Sequence, residues 1–185
     1  MNEDAAAADL LRRMVEGFSS DIEAVQLGVV DGRTPDAARA ILAAALRYVV
    51  LDVDLVPDHL EGVGLIDDAA MLRLGAAKAI AGGASDPAVA RLAAEAGELG
   101  LVFGELVAPL GAFLDGLLSP DAEGRTPTDV IAEPKSRIEL WRALAAKRDS
   151  SRKHALVASV LDTGNLVKTL RTIVRARLVK LGLIT

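Results

Sequence analysis

The chain has 185 residues, 51% of them apolar but only 3% aromatic, and a formal net charge of −5. That length suits one domain, or one domain with a helical appendage, and lets roughly 70% of the unfolded chain's surface be buried on folding. With no cysteine, disulfides, thiolate nucleophiles, iron–sulfur clusters and cysteine-ligated zinc are excluded, and the acidic opening Met1-Asn2-Glu3-Asp4 does not read as a secretory signal.

So few aromatics leave Ala, Leu, Val and Ile to build the core, and Ala and Leu are the strongest helix formers. Apolar positions recur every three to four residues rather than every two, which predicts an all-α fold, a compact helical bundle ending in a basic helical segment. In chain order, 4–18 forms a first helix with Leu10, Leu11, Met14, Val15 and Phe18 on its apolar side. A second helix covers 21–30 and ends at Asp31-Gly32. Thr34-Pro35-Asp36 starts the next, with a hydroxyl cap, a proline in the first turn and a carboxylate near the positive end. That helix runs to about 52 and is apolar except for a narrow stripe of Asp36, Arg39, Ala43 and Arg47, which predicts a central position.

Another helix follows over 67–81 and breaks at Gly82-Gly83, and Ser85-Asp86-Pro87 opens one reaching toward Leu118, with bends expected at Gly100, Gly104 or Pro109. Within it, 99–114 has Glu105 as its only charge, and the mean hydropathy of the whole chain is +0.33. A buried helix of a soluble bundle accounts for that stretch, with a membrane hairpin as the alternative. Residues 119–134, with three prolines, read as a linker between an acidic helical domain, 1–118, and a basic segment, 135–185, packed on it. Helices are expected at 135–148, 151–162 and 166–181, with Gly164-Asn165 as the break between the last two. Residues 135–185 carry twelve basic and three acidic side chains, a net +9, against −14 for residues 1–134. Such asymmetry points either to a polyanion-binding segment or to complementary packing inside the molecule.

The two histidines, His59 and His154, form no HExxH pair, and neither a GxSxG elbow nor a phosphate-binding glycine loop is present. No catalytic residue is assigned. What stands out is the corner at 48–68, with Asp52, Asp54, Asp58, Asp67 and Asp68 in 21 residues. Much of it has structural reasons: Asp54 and Asp67 as helix caps, Asp68 near a positive helix end, Gly62 and Gly64 for the reversal. The sharper reading is a hard-cation site for Mg²⁺ or Ca²⁺ built from Asp54, Asp58, Asp67 and Asp68, because clustered carboxylates repel one another until a cation or an arginine neutralises them. Arg47 is the arginine placed to do so.

The string ALRYVVLDVDLVPDHLEGVGLIDDAAML, residues 45–72, resembles the signature of the YkvA-like family, a bacterial helical domain of unknown function. Tyr48, Asp54, Leu55, Pro57, Asp58, Gly64, Asp67 and Asp68 carry the resemblance. Leu51-Asp52 stands where the family usually has Ser-Pro or a similar pair, and Glu61 or Gly62 where it has a proline in the turn. The resemblance places the corner within 45–82 and implies a helical fold; some relatives are membrane-associated, and no activity or cofactor carries over.

Leu166, Leu170, Ile173, Val174, Leu178 and Leu181 recur at helical spacing, with Lys168, Arg171 and Arg175 on another face and Arg177 and Lys180 to one side. Such a helix can pack on the bundle, lie on anionic lipid, or contact nucleic-acid phosphates. The lack of an aromatic platform argues against base recognition. The sequence therefore favours a non-catalytic helical module, in the cytoplasm or at a membrane surface, acting through protein contacts, self-association or an anionic membrane, with no small-molecule substrate inferred. The alternatives are a divalent-metal protein or metal-dependent hydrolase at the aspartate corner, and phosphate binding by the basic helix.

Overall fold

The computed structural model describes residues 3–51, 54–57, 60, 63–151 and 163–185, and among these the fold is all-α with no strand. The helices are α1 (Glu3–Val30), α2 (Asp36–Tyr48), α3 (Ile66–Ala81), α4 (Pro87–Ala96), α5 (Gly100–Phe103), α6 (Val107–Gly116), α7 (Pro127–Ala132), α8 (Pro134–Ser151) and α9 (Thr163–Lys180), with a 3₁₀ turn, Gly104–Leu106, between α5 and α6.

The two helices expected over 4–30 are one. Met14, Phe18, Ile22, Val25 and Val29 are buried along a single face that passes through Ser19-Ser20 without interruption. Both serines fit the helix: the Ser20 hydroxyl donates to the Gly17 carbonyl at 2.8 Å, and Ser19 accepts from Arg148 Nε at 2.9 Å. The Thr34 cap is also not made; its hydroxyl is buried without a hydrogen-bond partner, and Pro35 occupies the cap position of α2. Asp86 does cap α4, accepting from the amides of Ala88 at 2.8 Å and Val89 at 3.1 Å, with Pro87 in the first turn.

Helices α2 and α3 form the central pair. Every residue from Ile66 to Ala76 in α3 is buried, including Asp67, Asp68 and Arg73. Gly75 makes the close approach possible, since a Cβ there would lie 2.6 Å from Ala45 Cβ. Gly75→Ala is expected to force α2 and α3 apart and to cost about 1–3 kcal/mol of stability in urea unfolding, despite alanine's better helix propensity. A stabilised variant would show that the two helices do not meet there.

The apolar stretch Pro87–Gly116, with mean hydropathy 1.5, is long and apolar enough to cross a membrane. It is not one central helix. It turns at Gly97 and again at Gly104, whose φ of 57° is left-handed, so α4 and α6 lie against α3 as separate pieces. Pro109 sits near the start of α6, where a missing amide costs little. Within the stretch read as a linker, α7 packs on α2, opened by the Thr126 amide donating to Asp129 Oδ2 at 2.6 Å. Helix α8 then crosses α1 and α7, with Trp141 half-buried against α1, and α9 lies on α1 and α5 through a buried stripe of Leu170, Val174 and Leu178.

Candidate functional site

The aspartate corner joins the central helices, and its chemistry is set by where its carboxylates face. Asp67 lies in the first turn of α3 but does not cap it. It turns back under the preceding loop, where Oδ2 accepts from the Tyr48 hydroxyl at 2.5 Å and from the amides of Leu55 and Val56, each at 2.9 Å. The Tyr48 oxygen also accepts from Leu55 N at 3.0 Å, and its ring meets Phe113 edge-on with centroids 5.8 Å apart. The carboxylate thus joins the end of α2, the 55–56 loop and the start of α3 at one point, 1% exposed. Burial pushes its carboxyl up to about 6, against the opposing pull of the Tyr48 hydroxyl and the Val56 amide, with Asp54 adding to the rise. Burial and the neighbouring Asp67 push the Tyr48 phenol well above its ordinary value.

Asp68, the next residue, faces another way and pairs with Lys147 of α8 at 3.1 Å, also buried. Asp54 borders a groove beside α9 and is engaged within the fold. Asp52 and Asp58 lie outside the described residues, as do His59, His154 and the helix expected over 151–162 beyond Ser151. Among the described residues, no three His, Asp or Glu side chains come together in a way that would hold a metal ion. Arg47, expected to neutralise the corner, is turned elsewhere: Nη2 donates to Asp121 Oδ2 at 2.6 Å and Nη1 to the Arg125 carbonyl at 3.3 Å. The reason is local, because Asp121 Oδ1 also ties the amides of Glu123 and Arg125 into a tight loop over the end of α2.

The basic helix divides. Arg171 donates to the carbonyls of Val102 at 2.8 Å and Leu101 at 3.1 Å, covering the break at Gly104, and Arg175 pairs with Glu105. With Lys147–Asp68 and Arg148–Glu23, these contacts bind the positive C-terminal part to the negative remainder. Lys168 and Lys180 remain exposed, and Arg177 is half-buried beside the Asp54 groove.

The sequence reading missed a second buried constellation. The Arg73 guanidinium is fully buried, donating to Glu95 Oε2 from Nε at 2.9 Å and Nη2 at 2.6 Å and to the Ala69 carbonyl at 3.1 Å, with Asp21 Oδ2 3.1 Å away. Arg91 reaches Asp21 at 2.6 Å and Glu95 at 3.2 Å from the surface. Burial opposes ionisation of Glu95, but Arg73 and Arg91 outweigh it and hold its carboxyl below the usual range. The available signal was a lone charge on an apolar face, Asp21 beside Phe18 and Ile22 and Arg73 beside Leu72 and Leu74.

Residues 38–74 match the family described as "Protein of unknown function (DUF1232)". The chain is 50% identical over 34 residues to the "Uncharacterized membrane protein YkvA" of Bacillus subtilis (strain 168), a match covering 18% of this chain and 32% of that protein. The shared part is about a third of the relative's length. No solved structure matches. The Bacillus relative is named as a membrane protein, so the likeness lends no support to a purely cytoplasmic location. Residues 38–74, running from α2 through the Asp67 junction to Arg73, are a YkvA-like DUF1232 segment within a longer helical fold.

Proposed function

We propose that this chain is a non-catalytic helical module that works by contact at a membrane surface. The observation that carries this reading is the internal use of the signature's chemistry. Asp67 has three donors on one oxygen beneath the protein surface. A carboxylate so placed organises the backbone and has no route to a substrate. Exposed charge and exposed apolar surface meet at the end of α9, where Lys180 lies beside Val179 and Leu181. A basic helix end with exposed aliphatic side chains suits the headgroup region of an anionic bilayer. The likeness to a Bacillus membrane protein supports the same direction.

Co-sedimentation of the full chain with phosphatidylcholine vesicles, with and without phosphatidylglycerol, tests the reading. The protein is expected to pellet with the anionic vesicles at low salt and to be released at high salt, as screening requires. No pelleting with either vesicle would contradict it.

A further inference from the structure

The five basic side chains of α9 are not equivalent. By helical spacing, Lys168, Arg171 and Arg175 lie on one flank of the buried stripe Leu170–Val174–Leu178, and Arg177 and Lys180 lie on the other. On the first flank Arg171 donates to two carbonyls and Arg175 pairs with Glu105, while Lys168 is exposed. The second flank borders a groove of about 450 Å³ between α9 and the 54–57 loop of the YkvA-like segment. Its floor is apolar, from Leu55 and Pro57 on the loop and Ile173 and Ala176 on the helix, and Arg177 and Lys180 stand along its helix side. Arg177 Nε is buried without a hydrogen-bond partner, and among the described residues neither cation has an ion pair. Asp54 also borders the groove and has an interaction of its own within the fold.

The end of the helix is fixed beside these cations. Gly182, with a left-handed φ of 71°, closes α9: its amide donates to the Val179 carbonyl at 2.9 Å and the Leu183 amide to the Leu178 carbonyl at 3.0 Å. The closure leaves Val179, Leu181 and Leu183 exposed by 46%, 39% and 39% at the same end of the molecule.

We infer that this groove is a docking site for an anionic phospholipid in a bilayer, with Arg177 and Lys180 on the headgroup phosphate and Val179, Leu181 and Leu183 against the acyl-chain boundary. The inference rests on the membrane-surface reading and assigns it a place. Charge complementarity together with apolar surface commits the site to a lipid anion: Arg177 and Lys180, which have no ion pair among the described residues, stand over an apolar floor and next to exposed aliphatic side chains. The arginines on the opposite flank already have their partners and take no part.

Vesicle co-sedimentation with the full chain tests this through three variants, each first checked for an unchanged thermal melt. Arg177→Gln/Lys180→Gln is expected to weaken binding to phosphatidylglycerol-containing vesicles by about tenfold or more, given the usual contribution of each basic side chain near a charged membrane. Val179→Ser/Leu181→Ser/Leu183→Ser is expected to weaken it as well. Arg33→Gln/Lys135→Gln, which removes the same charge from exposed positions elsewhere, is expected to bind like the wild type. Equal loss in that control and in the groove variant would reduce the effect to net charge and overturn the site. Undiminished binding by the groove variant would overturn the site while leaving the membrane reading intact. A wild type that binds neither vesicle would remove the reading beneath it. A self-associated wild type that becomes monomeric on Arg177→Gln/Lys180→Gln without any vesicle binding would also overturn it, assigning the groove to a second copy.

Discussion

Replacement of Arg73 by leucine is expected to lower the unfolding free energy by about 3–5 kcal/mol in urea titration, a large share of the 5–15 kcal/mol typical of a domain. The guanidinium has no exposed surface and stands between Asp21 on α1 and Glu95 on α4. Its removal leaves Asp21 Oδ2 and Glu95 Oε2 facing an apolar cavity, with only Arg91 and Arg13 at the edge to compensate. Desolvation makes the converse change mild. Replacing all three, as Asp21→Leu/Arg73→Met/Glu95→Met, is expected to leave stability within about 2 kcal/mol of the wild type, because ions and their dehydration cost are removed together. A triple variant as unstable as the single one would mean that the network supplies net attraction. Loss of less than about 1 kcal/mol in Arg73→Leu would show that the side chain is not held where the fold puts it.

Asp67→Ala is expected to cost about 3–5 kcal/mol by the same titration, from hydrogen bonding rather than charge. It deprives the Tyr48 hydroxyl and the Leu55 and Val56 amides of their acceptor. A buried donor left without a partner costs about 1–3 kcal/mol. The Leu55 amide keeps the Tyr48 oxygen, so the total falls below three full penalties. Tyr48→Phe is expected to lose less, because both amides retain the carboxylate.

The helices themselves were readable because the core stripe of each recurs at helical spacing and because Asp86-Pro87 and Gly82-Gly83 mark ends that local chemistry fixes. The expected break between 18 and 21 is absent because Met14, Phe18, Ile22, Val25 and Val29 form one continuous apolar face. At the corner, the resemblance located Tyr48, Asp54 and Asp67 correctly as one motif. Local spacing still assigned Asp67 to its own helix, since a cap and a long-range acceptor look alike in sequence. Arg47 was misdirected for a similar reason. Its partner, Asp121, lies in a loop whose docking on α2 depends on α7 packing there, and no periodicity encodes that contact. Arg73 escaped attention because its partners lie on helices far away in sequence, and an arginine next to alanines and leucines reads as a solvated stripe until α1 and α4 cover it. The division of the α9 cations follows the same rule: spacing gives the flanks, and only the packed partner tells which flank is occupied.

The signature's Asp67 is held as a buried tie between the end of α2, the 55–56 loop and the start of α3, and its titration reports on that burial directly. Burial raises its carboxyl from 3.8 to about 6 in the folded state. Because the folded value lies above the unfolded one, its contribution to stability is fully present below the unfolded value and is lost as pH rises through about 6. Glu95 has the opposite sign, since its carboxyl is held low and its contribution disappears on acidification, so the wild type must be compared with a variant that differs only at position 67. Urea unfolding of the wild type and of Asp67→Asn between about pH 4 and about pH 8 makes that comparison. The wild type is expected to lose on the order of 2–3 kcal/mol relative to the variant as pH rises to about 7, and nothing further above it. Two profiles that run parallel across the whole range would contradict a buried, raised Asp67 and with it the structural role assigned to the corner.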